Sequence, residues 1–314
     1  MGDTRYVCKL SPELQKLAKE HLNEDEERRA NDIAALREWV KKQPHLICKN
    51  DDEFFLAFLR GSKFSLEKAK TKIDMHLTIK GALPEFFTGW DPANNEIQSI
   101  LDKGLNLYLP GYDHKGRKII LVRPGAYDPS EFDPILVQKV GFMTNVAMMK
   151  DDEQAMISGI VIIFDATGMG ISHISAMPMS TTKKMNRYWQ DGQPFMPKQF
   201  HQVNFPPIAL SFFNTVSQFM KEKIRQRIVF HQDLESLHKE VPKYMLPKEL
   251  GGDGPTIQQL TKEAKEKVLE SRDFLIQEEK YKSIESKRPG KPKTSEDLFG
   301  IVGVDGSFRR LNID

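Results

Sequence analysis

The first hundred residues place their apolar side chains at helical spacing. Ser11-Pro12 reads as a cap followed by proline at the first helical position. Asn23 with Glu26 resembles a capping box, which predicts a helix running to Val40 with Ile33, Leu36, Trp39 and Val40 on one face. Pro44 stops it. A third helix is predicted over Asp51 to Arg60, burying Phe54, Phe55, Phe58 and Leu59, with Gly61 at its end. A fourth starts at Ser65, carries Ala69, Ile73 and Leu77, and ends at Gly81. Short helices with short joints predict a small bundle.

The period changes near residue 104. Leu105 to Leu109 and Lys118 to Val122 are short apolar runs around a turn signal, Tyr112 to Gly116, and predict a hairpin. A helical stretch follows from Pro134 to Met149. Gly159 to Phe164 is a continuous run rich in β-branched residues, the pattern of a strand buried on both faces. Beyond it the pattern predicts a helix over Pro178 to Trp189, a strand over Phe200 to Val203, helical stretches over Pro207 to Phe213 and Val216 to Lys223, and a strand over Arg227 to His231. A charged helix from Ile257 to about Ile284, a basic linker from Lys287 to Lys293 and a short tail close the chain. Strands alternating with helices predict an α/β layer.

Composition narrows the function classes. The chain has 314 residues, 39% hydrophobic and 29% charged, an ordinary globular balance. A formal net charge of +2 is too mild for a dedicated nucleic-acid binder, so any basic contact surface is local. The start of the chain shows no apolar leader, and Met1-Gly2 with Tyr6 does not fit the myristoylation pattern. The longest apolar stretch, Gly159 to Ala166, is far short of a membrane span. The two cysteines, Cys8 and Cys48, imply no disulfide framework. The resulting expectation is a cytoplasmic protein with at most peripheral membrane contact.

No catalytic constellation is visible. The nucleophile elbow, the P-loop, H-E-x-x-H and C-x-x-C are missing, and the eight histidines lack ligand spacing. Asp51-Asp52 and Asp151-Asp152 sit beside helix ends and read as caps. Thr167 to Gly170 follows the buried strand but lacks the third glycine and the lysine of a phosphate loop. No cofactor and no metal is expected.

Five ordered segments carry a resemblance. Phe55 to Lys70 reads FLAFLRGSKFSLEKAK, Gly159 to His173 reads GIVIIFDATGMGISH, and His201 to Pro206 reads HQVNFP. Lys223 to His231 (KIRQRIVFH) and Leu246 to Gly252 (LPKELGG) complete the set. In order and spacing they are similar to the elements of the CRAL-TRIO lipid-binding family over roughly residues 25 to 275. The resemblance implies an α/β fold in which an N-terminal helical bundle (1–90) precedes a CRAL-TRIO domain (91–255). A mostly parallel sheet there floors a hydrophobic pocket under a helical gate. The C-terminal helix and basic tail occupy 256–314.

The resemblance also implies a pocket wall. Carried over by position, it includes Phe142, Val146, Ile160, Ile162, Phe164 and Met177. Met185, Tyr188, Phe195, Phe200, Phe212 and Phe213 complete it. Val146 and Phe142 fall where a tocopherol-binding member of the family has serines that meet the ligand's polar end. Met177 and Met185 are flexible fillers, and Tyr188 has a hydroxyl to offer. From the residues alone, Ile208, Ala209, Phe212, Phe213, Val216, Phe219 and Met220 recur at helical spacing, which suits either a gate or an ordinary core helix.

Lys198, Lys223 and Arg227 match a phosphoinositide-binding cleft of that same member. Ser62 and Met196 depart from it, with Lys63 adjacent. Lys223 and Arg227, four apart, share a face if the segment is helical. The basic linker adds nonspecific attraction to anionic lipid. The expected activity is non-enzymatic binding and transfer of a tocopherol- or retinoid-like lipid, carotenoid or other lipid, with phosphoinositide membranes as the second partner and no nucleic acid. The alternative is a lipid-regulated, phosphoinositide-binding trafficking adaptor that transfers nothing in bulk.

Overall fold

Helix starts in the N-terminal part are fixed by short side-chain bonds to backbone N–H groups that have no partner inside the helix. Ser11 Oγ accepts from Leu14 at 3.3 Å, Asp25 from Glu27 at 3.0 Å and Asp51 from Phe54 at 2.7 Å. They open α1 (Pro12–Leu22), α2 (Glu26–Lys41) and α3 (Asp52–Gly61), and α4 (Leu66–Ala82) follows. The cap of α2 is therefore Asp25. Asn23, read from the sequence as that cap, instead ends α1 in the left-handed region at φ 61°. The computed structural model describes residues 6–301. The N-terminal myristoylation reading and the end of the basic tail fall outside that range.

Leu36, Phe55, Phe58, Leu59, Ile73 and Leu77 form the core of this helical unit. A two-residue strand, β1 (Leu46–Ile47), lies between α2 and α3, and α5 (Pro84–Phe87) and α6 (Asn95–Leu101) lead out of the unit. Arg60 of α3 is buried and reaches Glu24 at 2.9 Å and Glu153 at 2.7 Å. Glu153 opens α8 (Glu153–Ser158), so this charge joins the helical unit to the sheet domain.

The sheet has the order β2-β3-β4-β5-β6. Its strands are β2 (Asn106–Tyr108), β3 (Lys118–Val122), β4 (Ile160–Asp165), β5 (Pro197–Val203) and β6 (Ile228–Phe230). The β2–β3 pair is antiparallel and every other pair is parallel. Burial on both faces explains why β4 is apolar from Ile160 to Phe164. Ile119, Leu121, Val161, Ile163 and Val203 pack on one side against Leu237 of α13 (Leu234–Glu240), Val241 just after it, and Leu260 of α14 (Ile257–Glu270). Ile120, Ile162, Phe164 and Phe200 point to the other side. That side is covered by α7 (Pro134–Met149), α9 (Ile171–Ser175), α10 (Met179–Arg187) and α11 (Pro207–Ser217). A π-helical turn, Tyr188–Gly192, continues α10.

Two expectations about the later chain change. Helix α12 (Glu222–Arg225) is one turn long, so Lys223 and Arg227 do not share a helical face; Arg227 already leads into β6. The long charged helix breaks at Ser271 into α14 and α15 (Arg272–Glu278). The chain then pairs β7 (Lys282–Ser283) antiparallel with β1. Two residues of the basic linker are tied to the helical unit: Arg288 bonds Asp74 at 2.8 Å and Thr78 at 2.7 Å, and Lys293 also pairs with Asp74. Helix α16 (Ser295–Phe299) then buries Leu298 and Phe299 and packs against α10.

Candidate ligand cavity and basic surface

Between the sheet and its helical cover lies a cavity of about 340 Å³. Its floor follows strand alternation: Ile120 and Val122, Ile162 and Phe164, Phe200 and Gln202, and Ile228. One side is the α7 face made by Val137, Gln138, Gly141 and Asn145. The roof is Met185 and Trp189 from α10 and its π turn, and Ala209, Phe212, Phe213 and Val216 from α11. Phe213 and Phe230 meet edge to face at 5.0 Å, and Phe205 meets Phe230 at 5.5 Å, closing the β6 end.

Seven sequence-named wall residues surround this space: Ile162, Phe164, Met177, Met185, Phe200, Phe212 and Phe213. The other five pack elsewhere. Phe142 and Tyr188 meet edge to face at 5.1 Å and both pack on Phe87. Val146 packs against the same cluster. A helix turns about 100° per residue, so with Gly141 and Asn145 facing the cavity, Phe142 and Val146 face away. Tyr188 also stacks on His76 at 5.9 Å, which takes it out of reach of a ligand oxygen. Ile160 shares the parity of Ile162 but lies beyond the cavity's end, packed with Tyr108, Met149 and Ala155; Phe195 packs on that cluster too.

The roof is held at both ends. Pro206-Pro207 starts α11, and Gln190 ties the segment after it, donating to the Phe219 carbonyl at 3.2 Å and accepting the Lys221 N–H at 2.8 Å. Asp191 pairs with Arg187 at 2.7 Å and with Lys221. The apolar stripe of α11 divides between two environments. Ala209, Phe212, Phe213 and Val216 face the cavity, whereas Ile208 is 40% exposed, Leu210 40% and Phe219 38%, with Ile171 of the neighbouring α9 at 69%.

A basic cluster lies at the start of β5. Partial burial, and then the positive charges of Lys63, Arg227, Lys223 and Arg117, push the Lys198 ammonium below its ordinary pKa. The stem of Lys198 runs over Gly159, whose φ is +89°; a Cβ there would come within 2.6 Å of Lys198 Cε and the Met196 carbonyl. Arg117 is neutralised by Asp113 at 2.6 Å, and Arg227 donates to the Pro197 carbonyl. Lys63, Lys198 and Lys223 have no acidic partner among the described residues. The structure thus brings together all three sequence-named cations and adds Lys63, from the end of α3. It leaves Ser62 buried and contributing no charge.

A mostly apolar cavity between a mostly parallel sheet and a helical roof has the form of a small-molecule-binding site in an α/β protein. The chain belongs to the CRAL/TRIO family. The CRAL/TRIO domain pattern matches residues 102–252, and a Pinta-like UBA domain pattern matches 25–97. A human protein named alpha-tocopherol transfer protein-like is 34% identical over 275 residues, covering 87% of this chain and 79% of that one. Its mouse counterpart is 34% identical over 249 residues, covering 79% and 72%. Human clavesin-2 is 29% identical over 251 residues, covering 79% and 76%. No helix among the described residues is long and apolar enough to cross a membrane.

Proposed function

We propose that this protein is a non-enzymatic carrier that encloses one small, largely apolar molecule and exchanges it at membranes, using the Lys63, Lys198, Lys223 and Arg227 cluster to engage anionic phosphoinositide headgroups. The observation that carries the reading is the chamber itself, closed by α10 and α11 and lined mainly by aliphatic, aromatic and methionine side chains. Burying roughly 400 Å² of apolar ligand surface at about 25 cal/mol per Å² is worth on the order of 10 kcal/mol before ordering and association costs. A molecule held this way leaves slowly into water, so productive release needs the roof to move. The exposed Ile171, Ile208, Leu210 and Phe219 on and beside that roof suit contact with acyl chains. Tocopherol-like or retinoid-like isoprenoids suit its mostly apolar lining.

Native mass spectrometry of the purified protein, followed by organic extraction, tests the carrier reading. One stoichiometric apolar ligand, or uptake of one from a mixed lipid extract, supports it. An empty protein that takes up nothing overturns it and leaves the basic surface as the functional feature, as in a membrane adaptor.

A further inference from the structure

The cavity wall carries a polar stripe where α7 faces β2. Asn145 lies on that wall and is 2% exposed. Its Oδ1 accepts from the Tyr108 hydroxyl at 2.6 Å and from Asn106 Nδ2 at 3.3 Å, so its acceptor capacity is used. Its Nδ2 is buried and has no hydrogen-bond partner. A buried amide donor without an acceptor is costly to leave unmade, and native interiors seldom leave one. Asn106 lies on the same stretch of wall, and at Gly141 between them a Cβ would stand 3.6 Å from the Asn106 amide, so the glycine leaves that amide uncovered. The floor facing this stripe, Ile120, Val122 and Ile162, offers no acceptor.

We infer that the missing acceptor comes with the ligand: an apolar body bearing one neutral oxygen, as in a ketone, aldehyde, ester or alcohol, whose oxygen accepts from Asn145 Nδ2. Tyr108 and Asn106 act as positioning residues that hold the Asn145 amide in one orientation. The inference rests on the carrier reading and deepens it, because it makes the cavity selective for oxygenated molecules over hydrocarbons of the same length.

Competitive loading tests it. The full chain is equilibrated with liposomes carrying equal mole fractions of 2-heptadecanone and n-heptadecane, recovered, extracted and assayed by gas chromatography. The wild type is expected to be enriched in the ketone roughly tenfold or more, and Asn145→Leu, checked for folding by circular dichroism, is expected to load both compounds equally. Asn145→Ala replaces it if the leucine variant does not fold. Equal loading of the two compounds by the wild type overturns the inference, and so does a ketone preference that survives loss of Asn145. If neither compound loads, the inference is overturned, and uptake of a ligand from a mixed lipid extract then decides whether the carrier reading stands.

Discussion

The Gln190 side chain accepts the Lys221 backbone N–H at 2.8 Å, and the same amide donates to the Phe219 carbonyl, so one glutamine fastens the far end of the α11 roof to the π turn behind α10. Both bonds are exposed, and each contributes no more than about 1 kcal/mol. Gln190→Ala is therefore expected to leave the fold intact and to speed vesicle-to-vesicle transfer of a fluorescent isoprenoid by roughly threefold to tenfold. A transfer rate equal to wild type would place the moving part of the roof elsewhere.

The floor is the place to test enclosure. Phe164 lies on β4 facing the cavity, with its ring 5.8 Å from that of Phe205. Phe164→Asp puts a carboxylate into the apolar chamber, at a cost of several kcal/mol to any ligand that must cover it. The expected outcome is a folded protein, by circular dichroism, that retains no extractable ligand. Undiminished ligand in that variant would show that the cargo binds outside this chamber.

Charge reversal separates docking from holding. Lys63 and Lys223 are both exposed, come from different domains and stand in the field of Lys198. With about 1 kcal/mol per basic residue near an anionic surface, Lys63→Glu combined with Lys223→Glu is expected to lower affinity for phosphoinositide-containing vesicles by tenfold or more. The loss should be smaller at high salt, and ligand content should not change. Vesicle cosedimentation at two ionic strengths gives the answer, and equal binding by both proteins removes the docking surface.

Two buried histidines set the acid limit. Burial, then the charge of Lys80, holds His76 down to about 3, and burial, then His231, holds His201 down to about 4, against an ordinary value of 6.5. Both are neutral in the folded and unfolded states above pH 6.5. Below that the unfolded chain takes up protons that the folded chain does not, so stability falls as pH drops from 6.5 toward 4. Over the first 1.5 units the pair accounts for about 4 kcal/mol at most. Urea unfolding at pH 7 and pH 5 is expected to show this loss, and His76→Phe is expected to reduce it by about half. A midpoint independent of pH would mean these rings are already solvated.

How much of this was legible in the sequence follows from what each segment touches. Helix α7 has the bounds that the pattern predicts, Pro134 to Met149. It is buried nearly all round, with Val137, Val140, Phe142, Asn145 and Met149 all inside, so periodicity carries no information about which face meets the cavity. Phe142 and Val146 were expected at the wall only by position in the family resemblance, and Gln138 and Asn145 were not expected there. The available signal was that Gln138 and Asn145, two turns apart in an otherwise apolar helix, share a face. Strand β4 was legible because a strand between two parallel neighbours is apolar on both sides. The Lys287 to Lys293 run was read only as a lipid-attracting linker because the partner of Arg288 and Lys293, Asp74, lies far away in α4 with nothing local to announce it.

Asp74 also receives His45 at 2.9 Å, alongside Arg288 and Lys293. That single carboxylate anchors a strap that starts at β7 on the helical unit and finishes with Leu298 and Phe299 packed behind α10. The segment from residue 282 to 299 is thus a brace between the helical unit and α10. Whatever shifts the roof must either slide past Phe299 or carry it along, so a chain shortened before residue 282 would keep every lining side chain of the chamber and lose the brace that sets its shape.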